Sequence, residues 1–156
     1  MVTENVFQDG PYLAAALLCE RILVEKDGVK SLIRIVNRIT SSVRGIEVPA
    51  KMPPYRAMLS LYLALKTGSR TGKHEIKVHP SRPDNTQMPP FVHSVNLETP
   101  ENRGIDLIVN LNLILDQEGI YWLSVYFDQW LMTKIPLQVL YITQSTGGEQ
   151  SPMLVQ

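Results

Sequence analysis

Apolar and polar residues alternate with a period of two along most of this chain. From Ile105 to Leu115 every odd position is apolar: Ile105, Leu107, Val109, Leu111, Leu113 and Leu115. Between and after them stand Asp106, Asn110, Asn112 and Asp116, with Ile108 and Ile114 as the exceptions. A helix would scatter the odd positions around its circumference, whereas a strand gathers them on one face. Tyr55 to Lys66 repeats the pattern, with Ala57, Leu59, Leu61, Leu63 and Leu65 on one side. Its other side carries Met58, Ser60, Tyr62 and Ala64, a face too apolar to be fully wet. His74 to Val78 reads as a short partner strand, reached through a turn at Thr67-Gly68-Ser69-Arg70-Thr71-Gly72-Lys73.

Two hairpins frame the chain. Near the C-terminus, Tyr121, Leu123, Val125 and Phe127 alternate with Trp122, Ser124, Tyr126 and Asp128, and a tight connection at Asp128-Gln129-Trp130 leads into a strand from Leu131 to Ile142. Pro136 lies inside that strand and has no N–H for a ladder, so it marks an edge, a bulge or a non-pairing position. At the N-terminus, Leu13 to Val24 and Val29 to Thr40 flank Glu25-Lys26-Asp27-Gly28, and Asp-Gly is a hairpin turn signal. Leu13-Ala14-Ala15-Ala16-Leu17-Leu18 also has high helix propensity. Strand is favoured, because the segment follows Gly10-Pro11 without a cap and runs into β-branched residues.

Proline-rich loops at 49–54, 80–90 and 100 separate strands rather than domains, since neither side alone could form a core. Together these features predict an all-β fold, a two-sheet antiparallel β-sandwich of immunoglobulin-like or related type with about seven to eight strands. Residues 1–142 form its single domain, and 143–156, with Gly147-Gly148 and little periodicity, a flexible C-terminal tail.

The N-terminal hairpin Leu18 to Ile35, the Gly-aromatic hairpin Gly119 to Asp128 and the closing strand Pro136-Leu137-Gln138-Val139 carry a resemblance. Across Leu13 to Val139 the chain resembles a bacterial family of uncharacterised single-domain β-sandwich proteins, a domain of unknown function. The resemblance implies the fold and brings no catalytic residues. Where such a final turn often has Asp-Gly, this chain has Asp128-Gln129-Trp130.

Composition narrows the function. At 156 residues with 44% apolar and 19% charged, the chain suits one ordered domain built without disulfides or metal. Fifteen basic residues balance fifteen acidic ones, which argues against nucleic acid as the main partner. The single cysteine, Cys19, suits a reducing compartment. The apolar run Tyr12 to Cys19 is short for a signal peptide and follows Glu4 and Asp9 rather than Lys or Arg. No stretch approaches the roughly 20 apolar residues of a membrane span. A cytoplasmic protein without membrane association is expected.

The search for chemistry removes more than it finds. Thr67 to Lys73 has too few residues between its glycines for a phosphate loop, and a strand rather than a helix follows. His74 and His79 are five apart on one strand and face opposite sides, and His93 brings no companion ligand, so no metal is expected. Cys19 sits in an apolar strand as a small hydrophobe. Asp106 with Asp116, and Asp84 with Asp128, are carboxylate pairs that spacing alone does not bring together. No catalytic residue and no cofactor is assigned, and the chain is not expected to be an enzyme.

The aromatics remain. With Tyr121, Leu123, Val125 and Phe127 in the core, Trp122 and Tyr126 lie on the opposite face, and Trp130 just beyond. Aromatics with a polar handle are enriched at interfaces and stack on sugars. Trp122, Tyr126 and Trp130 are therefore the candidate binding residues, for a protein partner or self-association first, and for a small ligand or glycan as the alternative.

Overall fold

A computed structural model describes residues 6–98 and 104–146. The described chain is all strand and loop. In order the strands are β1 (Tyr12–Val24), β2 (Lys30–Ile35), β3 (Arg38–Gly45), β4 (Tyr55–Lys66), β5 (Gly72–Ser81), β6 (Phe91–Leu97), β7 (Gly104–Leu115), β8 (Gly119–Phe127) and β9 (Trp130–Ser145). They form a four-stranded sheet in the order β2-β1-β4-β7 and a five-stranded sheet in the order β3-β9-β8-β5-β6. The larger sheet curls into a half-barrel.

The period-two pattern fixes which face each strand buries. Leu59, Leu61, Leu63 and Leu65 of β4 and Val109, Leu111, Leu113 and Leu115 of β7 turn inward from one sheet. From the other come Ile76 and Val78, Tyr121, Leu123, Val125 and Phe127, and Leu137 and Val139. All of them belong to a single hydrophobic cluster, so the two sheets share one core.

Four expectations change. Among the described residues the strands number nine, because the N-terminal arm divides and Phe91–Leu97, passed over between proline-rich loops, is β6. The second arm of the N-terminal hairpin is not continuous to Thr40: Arg34 takes a left-handed φ of 55°, and the chain crosses to the other sheet as β3. There β3 pairs parallel with β9, so the fold is not wholly antiparallel. Finally, β5 is not the partner of β4. Loop 67–71 carries the chain between sheets, and β5 pairs with β6 and β8. The strand reading of Leu13 to Val24 and the Glu25–Gly28 turn agree with the structure, where the Gly28 amide donates to the Glu25 carbonyl at 2.9 Å.

β9 extends past residue 142, pairing Thr143, Gln144 and Ser145 with Val43, Arg44 and Gly45. The rest of the expected tail, 147–156, lies outside the described residues. Pro136 stands opposite Trp122 in register, with its nitrogen turned away from β8. The Gln138 amide donates to the Asn37 carbonyl at 3.1 Å, so the nitrogen of Pro136, two residues earlier, points the same way. At that level β3 has not yet begun.

Candidate functional site

Three strands build a regular array on the outer face of the five-stranded sheet. Cross-strand register aligns Lys77 with Tyr126 and Leu131, His79 with Ser124 and Lys134, and Ser81 with Trp122 and Pro136. The inward neighbours on β5 and β8 are core residues, so the array stands on a rigid base. Trp122, on the middle strand in the row of Ser81 and Pro136, is 36% exposed. Lys134 Nζ lies 5.1 Å from the Trp122 ring centroid and Lys77 Nζ 6.0 Å from that of Tyr126. Each is a cation–π contact, with the ammonium nitrogen over the ring. Asn85 and Gln87, from the loop after β5, join Ser81, Ser124 and His79 around a shallow groove of about 320 Å³.

Two of the three predicted residues therefore share a surface, and one does not. Trp130 stands opposite Phe127 in register, on the inner face, and packs against the core. Its ring lies 5.9 Å from the Arg70 guanidinium carbon. The reading by alternation placed Trp122 and Tyr126 together but could not place a residue beyond a turn. Lys77, His79 and Ser81 were legible in the same way, as the residues between Ile76, Val78 and Pro80, once β5 is known to neighbour β8. Lys134 was not, because a register shift between Val125 and Tyr126 moves β9 relative to simple hairpin counting.

His74 and the candidate carboxylates are engaged elsewhere. His74 and His79 face opposite sides of β5. His74 packs on the Phe127 ring at 4.7 Å, with Nδ1 2.8 Å from Asp128 Oδ2 and Nε2 2.8 Å from the Thr71 carbonyl. The carbonyl can only accept, so Nε2 donates to it and has no lone pair free for a base's work. Asp106 binds Lys30 and Tyr62, and Asp116 meets Tyr121 and Arg82. Asp84 binds Thr86 and Gln117, near the opposite end of β5 from Asp128. Neither carboxylate pair forms. Among the described residues no three His, Cys, Asp or Glu side chains converge as metal ligands. Cys19 is buried, and burial raises its thiol above the ordinary value, the opposite of an activated nucleophile. No helix among the described residues is long and apolar enough to cross a membrane.

Asp128 carries a consequence for stability. Burial pushes its carboxyl up, but the Glu75 amide, the His74 ring and the Arg70 charge outweigh it, so the net shift is downward. A carboxylate depressed in the folded state stabilises fully above its unfolded value, about 3.9, and that contribution is lost as pH falls through the lower folded value. Urea midpoints measured from pH 6 downward are expected to decline below about pH 4. Asp128→Asn should lower the midpoint at pH 6 and flatten the decline. An unchanged slope would assign the acid sensitivity to other carboxylates.

No curated protein matches the chain. A sequence-family model spanning residues 14–140 does, covering both sheets and the whole Trp122 array, and on that match the chain belongs to a family of unknown function, DUF6941.

Proposed function

We propose that this domain is a non-catalytic protein-binding module of immunoglobulin-like sandwich type, working in the cytoplasm, with the Trp122 array as its contact surface. The fold reading rests on strand order. With β1 as strand A and β4 to β9 as B, C, C′, E, F and G, the neighbours A-B-E and G-F-C-C′ follow the immunoglobulin scheme. Tyr121 adds a tyrosine corner: its hydroxyl oxygen accepts the Asp116 and Gln117 amides at 3.0 and 3.1 Å, at the turn leading into β8.

The observation that carries the binding role is a tryptophan, 36% exposed, on the middle strand of a rigid, strand-built face, beside a groove lined by hydrogen-bonding side chains. Large aromatics in such a setting are the usual anchors of protein interfaces. The two lysines give the surface positive charge, which suits a partner face bearing carboxylates. A glycan needs an open ring face for stacking, and Lys134 already sits over that of Trp122. The blocked Nε2 of His74 and the raised thiol of Cys19 weigh against an enzyme.

Photo-crosslinking tests the reading. With benzoylphenylalanine at Ser124 in the native cells, one discrete protein adduct is expected, lost on Trp122→Ala while the variant stays folded. Adducts only to a second copy would make the face a self-association surface. No adduct, together with a tryptophan fluorescence shift on adding soluble oligosaccharides, would favour the glycan reading instead.

A further inference from the structure

β4 is paired along its whole length with β7, from Tyr55↔Leu115 to Lys66↔Gly104. On its other side the pairing is only partial. β1 runs beside β4 from Tyr12↔Lys66 to Cys19↔Ser60 and then departs. Where it goes is fixed by the far end of its hairpin: Lys30, opposite Val24 at the tip, reaches Asp106 Oδ2 at 3.2 Å. Asp106 is level with Ala64, near the opposite end of β4 from Tyr55. A straight β1 would have carried Lys30 well away from it, so the hairpin folds back over the outer face of the four-stranded sheet. Tyr62, whose hydroxyl donates to the same carboxylate at 2.9 Å, lies beneath it.

The fold-back leaves a lane beside Tyr55–Leu59 in which no strand among the described residues pairs with β4. Backbone direction there follows from one hydrogen bond. The Leu18 carbonyl accepts the Val36 amide at 2.8 Å and so points away from β4. Cys19, the next residue, points its backbone groups toward β4, and Ser60 returns them toward β1. The Ser60 carbonyl indeed takes the Cys19 thiol, at 3.6 Å. Met58 and Arg56, two and four residues back along a regular strand, therefore aim their amides and carbonyls into the lane, where β1 has gone. The lane is the floor of a crevice of about 880 Å³, walled on the far side by the crossing segment Ile35–Asn37 and the start of β3. Five residues of exposed strand edge span about 17 Å.

The walls carry a net positive charge, three arginines against Glu20. Arg34 is bound to Glu20 at 2.8 Å, while Arg38 and Arg56, both exposed, make no ion pair among the described residues. Met58 at 73% and Ile35 at 61% exposure add apolar surface between them. We propose that this lane is a strand-addition site for an extended, acidic segment of a partner protein, hydrogen-bonded to Arg56 and Met58 and paired by its carboxylates with Arg38 and Arg56. Strand addition draws affinity from main-chain bonds and specificity from alternate side chains, and the crevice supplies both. A second copy of the chain fits poorly. Its edge strands β2 and β3 carry Lys30, Arg34, Arg38 and Arg44, β6 has no acid, and the one acid of β7, Asp106, is held by Lys30. This site is separate from the Trp122 array and does not depend on it.

Panning a displayed library of random octapeptides against the full chain tests the proposal, with binding then measured by fluorescence anisotropy on synthetic peptides. The enriched pool should carry Asp or Glu at alternating positions. Arg38→Glu with Arg56→Glu should weaken binding at least tenfold while thermal melting shows the variant folded. N-methylating one alternate set of peptide amides should abolish binding, and Trp122→Ala should leave it intact. No enrichment over an unrelated protein, or enriched peptides indifferent to both arginines, would overturn the proposal. So would concentration-dependent dimerisation abolished by the same arginine variant, which would give the lane to a second copy.

Discussion

Arg70→Ala is expected to cost about 3 kcal/mol of stability and, for a domain of this length, to lower Tm by roughly 10 °C. Arg70 is half-buried on the loop that carries the chain between sheets. Its Nε donates to the Gly10 carbonyl at 2.7 Å and its Nη2 to the Val6 carbonyl at 3.0 Å, tying the N-terminal segment to that loop. The same guanidinium stands 5.8 Å from the Phe127 ring centroid and 5.9 Å from that of Trp130. Hydrogen bonds from a charged donor contribute about 1.5–3 kcal/mol each, and cation–π contacts about 0.5–1. The sum is not additive, because all share one side chain. Truncation leaves the two carbonyls facing a gap beside the core. Arg70→Lys should recover only part of the loss, since an ammonium lacks the planar fork that reaches both carbonyls while stacking. Thermal melting of wild type, Arg70→Ala and Arg70→Lys measures this. Equal Tm for all three would mean that Gly10 and Gly68 hold the junction alone.

Those glycines make the close approach that Arg70 secures. A Cβ at Gly68, whose φ is 61°, would meet the Asp9 carbonyl oxygen at 2.5 Å, and one at Gly10 would collide with the Thr67 carbonyl oxygen. Two backbones touch where two side chains are missing. The sequence shows Gly10 and Gly68 as turn residues but not that they face each other, because their contact is set by tertiary packing.

The same division runs through the whole chain. Strands with one face in the core declare themselves by alternation: β4 begins and ends where the pattern does, and in β7 the odd positions Val109 to Leu115 are the buried ones. What alternation cannot supply is the identity of the neighbour. His74 to Val78 looked like the return arm of β4 because it followed a short glycine-rich turn, yet Gly68 at positive φ helps redirect the chain into the other sheet. The break at Arg34 was equally hidden, since an arginine in a left-handed conformation has no propensity signal and is held there by context. Hence Trp122 and Tyr126, on one strand, were legible as a pair, whereas Lys77 joins them only once β5 is known to neighbour β8, and Lys134 is displaced by the register shift in β9. The lane beside β4 lay further out of reach. It exists because β1 pairs with β4 for only part of its length, and nothing in the composition of Glu20–Val24 announces that departure.

Replacing Tyr121 should have the largest effect of any single change, and two substitutions divide it into parts. Tyr121 is fully buried, and its hydroxyl oxygen takes the amides of Asp116 and Gln117 while donating to Asp116 Oδ1 at 3.3 Å. Burial raises its hydroxyl above the ordinary value even though the two amides pull it down, so the group stays protonated and able to donate at any physiological pH. Tyr121→Phe keeps the ring and removes the acceptor. The two amides lie at a partly exposed turn where water can replace the oxygen, so the expected cost is about 1.5 kcal/mol, at the lower end for abandoned donors. Tyr121→Ala also empties a ring-sized space beneath the Trp122 strand, and the expected total is about 4–5 kcal/mol. Urea unfolding at neutral pH gives both numbers. If Phe costs nothing, the corner hydrogen bonds are incidental and the turn between β7 and β8 holds without them. If Phe and Ala cost the same, the hydroxyl rather than the ring ties that turn to the core, and β8 should then lose its outer array together with its corner.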